Sequence, residues 1–177
     1  MTTNRTEHVV VVDEHDLPVG VAGKLEAHRG AGILHRAVSA CLFDEQGRVV
    51  LQRRAMRKYH FAGRWSNTCC THPRPGERPE TAIVRRLREE LGVTPDGLRS
   101  AGSFTYRAVD LRSGYVEHEL DHVFTGTVVD EPRPHPDEVM DWRVVDRDRV
   151  AVTDWGAGIY TPWLADVLRV AGIGLSQ

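Results

Sequence analysis

At 177 residues the chain has the length of one domain, and its 41% hydrophobic and 27% charged residues are the balance of an ordinary globular protein. A chain of this size buries roughly 70% of the surface its unfolded form exposes and needs no disulfide staple. Twenty-five acids against 23 bases leave a net charge of -2, without the basic excess of a nucleic-acid binder. The longest strongly apolar run is Val9 to Val12, so no membrane-spanning helix of about 20 apolar residues is expected. The opening MTTNRTEH lacks the apolar core of a secretory signal, and a cytoplasmic protein is expected. Cys41, Cys69 and Cys70 are odd in number, with two adjacent, which argues for free thiols in a reducing compartment. Only two of the 23 bases are lysine, Lys24 and Lys58. An arginine-favouring genome accounts for the bias, and each remaining compact ammonium is worth following.

No repeat or linker divides the chain, and a single domain over 1–177 is expected. Residues 7–12 are β-branched and bounded by Asp13 and Pro18, a strand pattern. Residues 21–34, rich in Gly and Ala, predict a loop. Strands at 35–43 and 48–54 around the turn signal DEQG predict a hairpin. The Gly-, Pro- and aromatic-rich stretch 55–78 predicts a long ordered loop. Residues 79–91 carry the clearest helix signal: Pro79 in the first turn, Glu80 at the positive end of the dipole and Gly92 at the stop. Its apolar stripe is Ala82, Ile83, Val84, Leu87 and Leu91, and Arg85–Glu89 and Arg86–Glu90 stand four apart on its surface. Strands follow at 101–107, 115–129 and 141–145, with a Pro-rich loop at 130–137 and a closing helix at 161–171. This order predicts an α/β fold with a mixed sheet between helices.

Within YVEHELD, residues 115–121, strand alternation puts Glu117, Glu119 and Asp121 on one face and His118, Leu120 and His122 on the other. Crowded carboxylates repel unless a cation, proton or basic partner intervenes. A solvated strand edge would also accommodate the acids, and His118 and His122, turned away from them, are read as structural. His28, His35 and His72 are ordinary when taken singly. Imidazole plus carboxylate is nonetheless a ligand set for a divalent metal, and only a fold can assemble groups from separate segments. Cysteine is commonly a small buried hydrophobe. Cys69 and Cys70 lie in a loop with Trp65, Asn67, His72 and Pro73, which raises the odds of a role without choosing between the two.

The segment GERPETAIVRRLREELGV, Gly76–Val93, resembles the Nudix box at Glu77, Arg85, Leu87, Glu89, Glu90, Gly92 and Val93. Thr71 replaces the first Gly of that pattern, and Arg86 replaces the second Glu of its Arg-Glu step. A base where the box carries a metal-binding acid argues against ordinary Nudix hydrolysis. From about Glu7 to Trp163 the chain resembles type I isopentenyl-diphosphate isomerases, which share the Nudix fold without hydrolysing their substrate. The landmarks are AHRGAGILHRAVS, LQRRAMRKYHFAGRWSNTCCTHP, the modified box, YRAVDLRSGYVEHE, DEVMDW and TPW. Thr71 departs here too, because the family usually has Gly between Cys and His.

The resemblance implies a Nudix-type α/β/α sandwich and a conversion of isopentenyl to dimethylallyl diphosphate in isoprenoid biosynthesis. It implies one protein-bound divalent metal (Mn²⁺, Mg²⁺ or Zn²⁺) held by His28, His35, His72, Glu117 and Glu119. Cys70 matches the catalytic thiol, Glu119 the second catalytic group and Tyr106 its assistant. Glu90 matches the acid that helps hold Mg²⁺ on the substrate diphosphate. Lys24, Arg54 and Lys58 match the bases that bind this diphosphate, and Trp163 matches an aromatic lining the hydrocarbon pocket. A monomer acting on a small prenyl diphosphate, with no nucleic-acid or membrane partner, is expected. The competing readings are a Nudix hydrolase and a metal-stabilised binding module, and the second leaves Cys70 and Trp163 idle.

Overall fold

The computed structural model describes residues 7–151 and 158–174. In chain order the elements are β1 (His8–Val12), β2 (Pro18–Gly23), α1 (Lys24–Ala27), β3 (His35–Phe43), β4 (Val49–Arg54), β5 (Trp65–Ser66) and β6 (Cys69–Thr71). There follow α2 (Pro79–Leu91), β7 (Asp96–Val109), β8 (Val116–Thr127), β9 (Val139–Val145), α3 (Arg147–Ala151) and α4 (Leu164–Val170).

Strand β3 organises the mixed sheet. Along its whole length it pairs in parallel with β8, from His35 opposite Glu119 to Phe43 opposite Thr127. Its other edge meets β1 at His35, β6 at Val38–Ala40 and β4 at Phe43 in turn, all antiparallel. The expected 35–54 hairpin therefore closes only at its turn, where Phe43 faces Val49. Beyond it β4 leaves β3 and pairs with β9 and β5. The reason is competition for one edge: the short strand β6 takes the middle of β3. The expected loop at 21–34 instead begins with the end of β2 and the one-turn helix α1. The Gly and Ala that mask a periodic pattern there are tolerated because β1 supplies the pairing, His8 opposite Gly23 to Val11 opposite Gly20.

Alternation along the strands feeds two cores. Val38, Ala40, Leu42, Val50, Cys69 and Phe124 pack under α2 through Ala82, Ile83, Leu87 and Leu91. Cys41, Phe43, Val49, Leu51 and Val123 point the other way and pack with Trp163, Leu164, Val167 and Leu168 around α4. Helix α2 spans the expected residues, with Pro79 at its start and Gly92 in the left-handed conformation (φ 66°) that ends it. The sheet thus lies between two helical layers, the architecture expected.

Candidate active site

Three segments converge on β8. The His28 carbonyl accepts a bond from Val116 N at 2.8 Å, tying the end of α1 to the start of β8. Gly32 completes this approach: at φ +77° it runs so close to β8 that a Cβ would sit 2.7 Å from Val116 Cγ1. His35 opens β3 opposite Glu119, and His72 follows β6. The sheet register therefore assembles His28, His35, His72, Glu117 and Glu119, each offering a ligand atom within 4.8 Å of the others. All but the partly buried His72 are buried.

The chemistry of these donors fits a cation. His28 Nδ1 donates to the Lys24 carbonyl at 2.6 Å and His35 Nδ1 to the Ile33 carbonyl at 2.7 Å, which leaves each Nε2 with a lone pair. Both Nε2 atoms and Glu117 Oε2 are buried without a hydrogen-bond partner. His28 Nε2 stands 2.9 Å from Glu117 Oε2, and Glu119 Oε1 lies 2.7 Å from His72 Nε2 and 3.5 Å from His35 Nε2. Orphaned donor atoms so close together are costly unless an ion satisfies them. Burial pushes the His72 pKa down to about 3, so the ring is neutral, as a ligand must be. Burial opposes ionisation of Glu119 and so does Glu117, yet the neighbouring imidazoles of His35 and His72 outweigh both and lower its pKa.

Cys70 is separated from Cys69 by strand alternation. The Cys69 sulfur points under α2 and lies 3.4 Å from Glu90 Oε2. Cys70 packs on the α4 side, with its Sγ 3.1 Å from Asn67 Oδ1 and 3.3 Å from Ser39 Oγ. Burial, reinforced by the Asp121 charge, pushes its pKa up to about 12, so the thiol keeps its proton. Ser39 Oγ also lies 2.6 Å from Asp121 Oδ2, whose carboxyl is itself pushed up by burial and by Glu119. The three acids of β8 do share the face read from the sequence, and His118 and His122 turn away to bond the Gly32 carbonyl and Asp16.

Asn67 carried no assigned role in the sequence, yet it is wholly buried and ties the thiol to the aromatics. Its Nδ2 donates to the carbonyls of Ala40 and Cys69 at 3.1 and 2.9 Å, which fixes the amide orientation. Oδ1 must then face the acceptor side, where it meets Cys70 Sγ and, at 3.2 Å, Trp163 Nε1. The Trp163 ring lies 5.8 Å from that of Tyr106, whose hydroxyl donates to Glu119 Oε2 at 2.7 Å. Thiol, indole, phenol and carboxylate thus form one continuous path on the α4 face.

The charged residues gather elsewhere. Glu90, buried on α2, is enclosed by Arg86 Nη2 at 2.7 Å, Lys58 Nζ at 3.3 Å and Gln52 Nε2 at 3.2 Å. Burial raises its pKa, but Lys58, Arg86 and Arg54 together outweigh burial and hold it at about 2. Both its oxygens are engaged. Glu138 joins the group through Lys58 and, at 2.6 Å, Arg86. The ammonium of Lys24 is bonded to Glu7 at 2.8 Å; burial, against the pull of Glu7 and helped by the charges of Lys58 and Arg86, lowers its pKa. Arg54 bridges the two regions, with its guanidinium 5.6 Å from the Trp163 ring centroid. Arg86, which the sequence marks as a missing acid and as a partner four residues from Glu90, makes that pair and is a member of the basic group. A separate cavity of about 320 Å³, lined by Arg53, Phe61, Arg64, Asp110 and Ile159, contains none of the expected site residues.

Residues 33–166 match the NUDIX domain family. The chain is 50% identical over 163 residues to isopentenyl-diphosphate Delta-isomerase 2 of Aromatoleum aromaticum, covering 92% of this chain and 85% of that protein. It is 51% identical over 164 residues to the isopentenyl-diphosphate Delta-isomerase of Nocardia farcinica, covering 92% and 93%. The chain belongs to the isopentenyl-diphosphate Delta-isomerase family. Solved structures share the fold of this chain. A Deinococcus radiodurans protein superposes with a TM-score of 0.75 at 22% identity, over 92% of this chain and 98% of its own. A MutT NUDIX hydrolase from Burkholderia pseudomallei superposes with a TM-score of 0.60 at 21% identity, over 77% and 96%.

Proposed function

We propose that the protein isomerises isopentenyl diphosphate to dimethylallyl diphosphate, a 1,3-allylic rearrangement that serves isoprenoid biosynthesis. The observation that carries this reading is the thiol of Cys70 on the same sheet face as the Glu119–Tyr106 pair, joined to it through Asn67 and Trp163. A hydrolase has no need of that pairing.

Moving the double bond adds a proton at one carbon and removes one at another. An unactivated alkene is a weak base, so the intermediate is a short-lived tertiary carbocation. The resting site offers one group that holds a proton, Cys70, and one that lacks it, Glu119, with the Tyr106 hydroxyl donating to the latter. General acid–base assistance of this kind contributes about 10²–10⁴-fold. The face of Trp163 can stabilise positive charge without supplying a nucleophile. The rings of Phe61 and Tyr106 pack on Trp163, and an apolar wall of this kind would keep out water that could trap the cation as an alcohol. His28, His35, His72, Glu117 and Glu119 would hold one divalent ion, which when bound lowers the proton affinity of Glu119 and fixes its orientation.

Lys24, Arg54 and Lys58 would bind the diphosphate together with Mg²⁺, and Glu90 is the acid assigned to that ion. Arg86 shares the carboxylates of Glu90 and Glu138 with Lys58 and would join these bases. The reading needs one chain only, since every group named comes from the same chain, and the domain would span 1–177. No described helix is long and apolar enough to cross a membrane. Three free cysteines suit the reducing cytoplasm, where we place the protein.

The test is incubation of purified protein with isopentenyl diphosphate and Mg²⁺ in heavy water. Dimethylallyl diphosphate carrying deuterium at the shifted allylic positions is expected. Release of phosphate or diphosphate with no rearranged product would overturn the reading in favour of a hydrolase.

A further inference from the structure

We propose that His60 is a positioning residue for the metal centre, holding one oxygen of Glu117 so that only the other can serve as a ligand. This rests on the reading of the His/Glu cluster as a divalent-ion site. His60 lies in the segment between β4 and β5 and is outside the set of five ligands. Its Nε2 pairs with Glu117 Oε1. A carboxylate only accepts, so the imidazole donates. The other oxygen, Oε2, has no hydrogen-bond partner and faces His28 Nε2 at 2.9 Å.

Glu119 is arranged in the same way. Tyr106 occupies its Oε2 at 2.7 Å, while Oε1 faces His72 and His35. Each carboxylate of the cluster thus has one oxygen capped by a neutral-side donor and one turned inward. A capped carboxylate binds a metal through one oxygen, whereas an uncapped one is free to chelate with two and raise the coordination number. His60 and Tyr106 thereby fix how many oxygens the centre presents.

The surroundings hold His60 in place for this task. Its carbonyl accepts from Arg54 Nη2 at 3.1 Å, and the next amide, Phe61 N, donates to Asp110 Oδ2 at 3.0 Å. Phe61 itself adopts φ 47°, a left-handed turn rare outside Gly and Asn, which redirects the chain just after His60. The Tyr59 ring covers the imidazole at 4.1 Å with a 33° interplanar angle. His60 is 7% exposed, and its Nδ1 has no hydrogen-bond partner, so Glu117 is the acceptor to which its ring N–H is committed.

The experiment measures Mn²⁺ and Zn²⁺ binding by chelator competition, without substrate, on the full chain and on H60F, H60Q and E117A. Melting of each metal-free protein is recorded alongside. H60F is expected to lose about 10–100-fold in metal affinity at unchanged metal-free melting. Gln places an N–H where Nε2 stood, and H60Q is expected to recover most of the loss. X-ray absorption of the Mn²⁺ forms should count one more oxygen ligand in H60F than in the unmodified protein. Should H60F fail to fold, H60N takes its place, since its shorter amide cannot reach Glu117. Wild-type affinity and ligand count in the variant lacking the donor, with E117A weakened, would overturn the role of His60 alone. Absence of metal binding in the unmodified protein, or equal binding in E117A, would overturn the metal-site reading and this inference with it.

Discussion

The two faces of the sheet around β6 handle buried polar groups in opposite ways. Under α2, the carboxylate of Glu90 has both oxygens engaged by Arg86, Lys58, Gln52 and Cys69. Toward α4, Glu117 Oε2 and the Nε2 atoms of His28 and His35 have no hydrogen-bond partner although they lie together. A buried charge surrounded by opposite charge is complete in itself. A cluster of unsatisfied lone pairs is stable only with something added, which is the signature of a binding centre. Adjacent residues sample both conditions: Cys69 touches the satisfied acid, and Cys70 looks into the unsatisfied face.

The largest expected effect separates those two thiols. C70A should lower isomerisation by about 10²–10⁴-fold while leaving melting and metal content nearly unchanged, as read by turnover, calorimetry and metal analysis. C69A should keep most turnover. An active C70A beside an inactive C69A would reverse the assignment of the faces. Next, E119Q should lose turnover by at least about 100-fold and also bind metal more weakly, since one side chain serves both purposes. Full activity in E119Q would remove it from the mechanism. Metal analysis of a variant lacking His28, His35 and His72 should find the ion gone, and unchanged occupancy would break the ligand set.

The α2 face should respond in stability, and at Glu90, the acid assigned to the diphosphate Mg²⁺, in turnover as well. L87A empties a wholly buried position and should cost about 2–5 kcal/mol by denaturant titration. E90Q should show a pH signature. The folded pKa of Glu90, near 2, lies below its ordinary value of 4.5, so ionised Glu90 stabilises the fold above about pH 4.5. That contribution, about 3 kcal/mol at pH 7, should fade as pH falls from 4.5 toward 2. Stability curves of E90Q and the unmodified protein should therefore converge in acid. A constant gap down to pH 2 would show that the cage stabilises by packing alone.

Much of this was legible before any coordinates. The α2 boundaries followed from Pro79, Gly92 and the apolar stripe, because helix signals are local. The shared face of Glu117, Glu119 and Asp121 followed from strand alternation. The hairpin at 35–54 forms only at its turn, because a competing strand about 30 residues downstream claims the edge of β3, and no local pattern announces that competition. His60 and Asn67 went unassigned for the same reason. Each is an ordinary loop residue until the fold brings Glu117 or Trp163 against it.

The sequence by itself determined the composition of the parts: which residues could ligate, donate or lie in a core, and which local periods they follow. Only the tertiary structure decided which parts meet. It brought three histidines from three segments onto two carboxylates through the β3–β8 register, and it chose between adjacent cysteines by the face each side chain takes. The physical reason is that periodicity is set by neighbouring residues, whereas contacts between distant segments depend on which strands win the available edges.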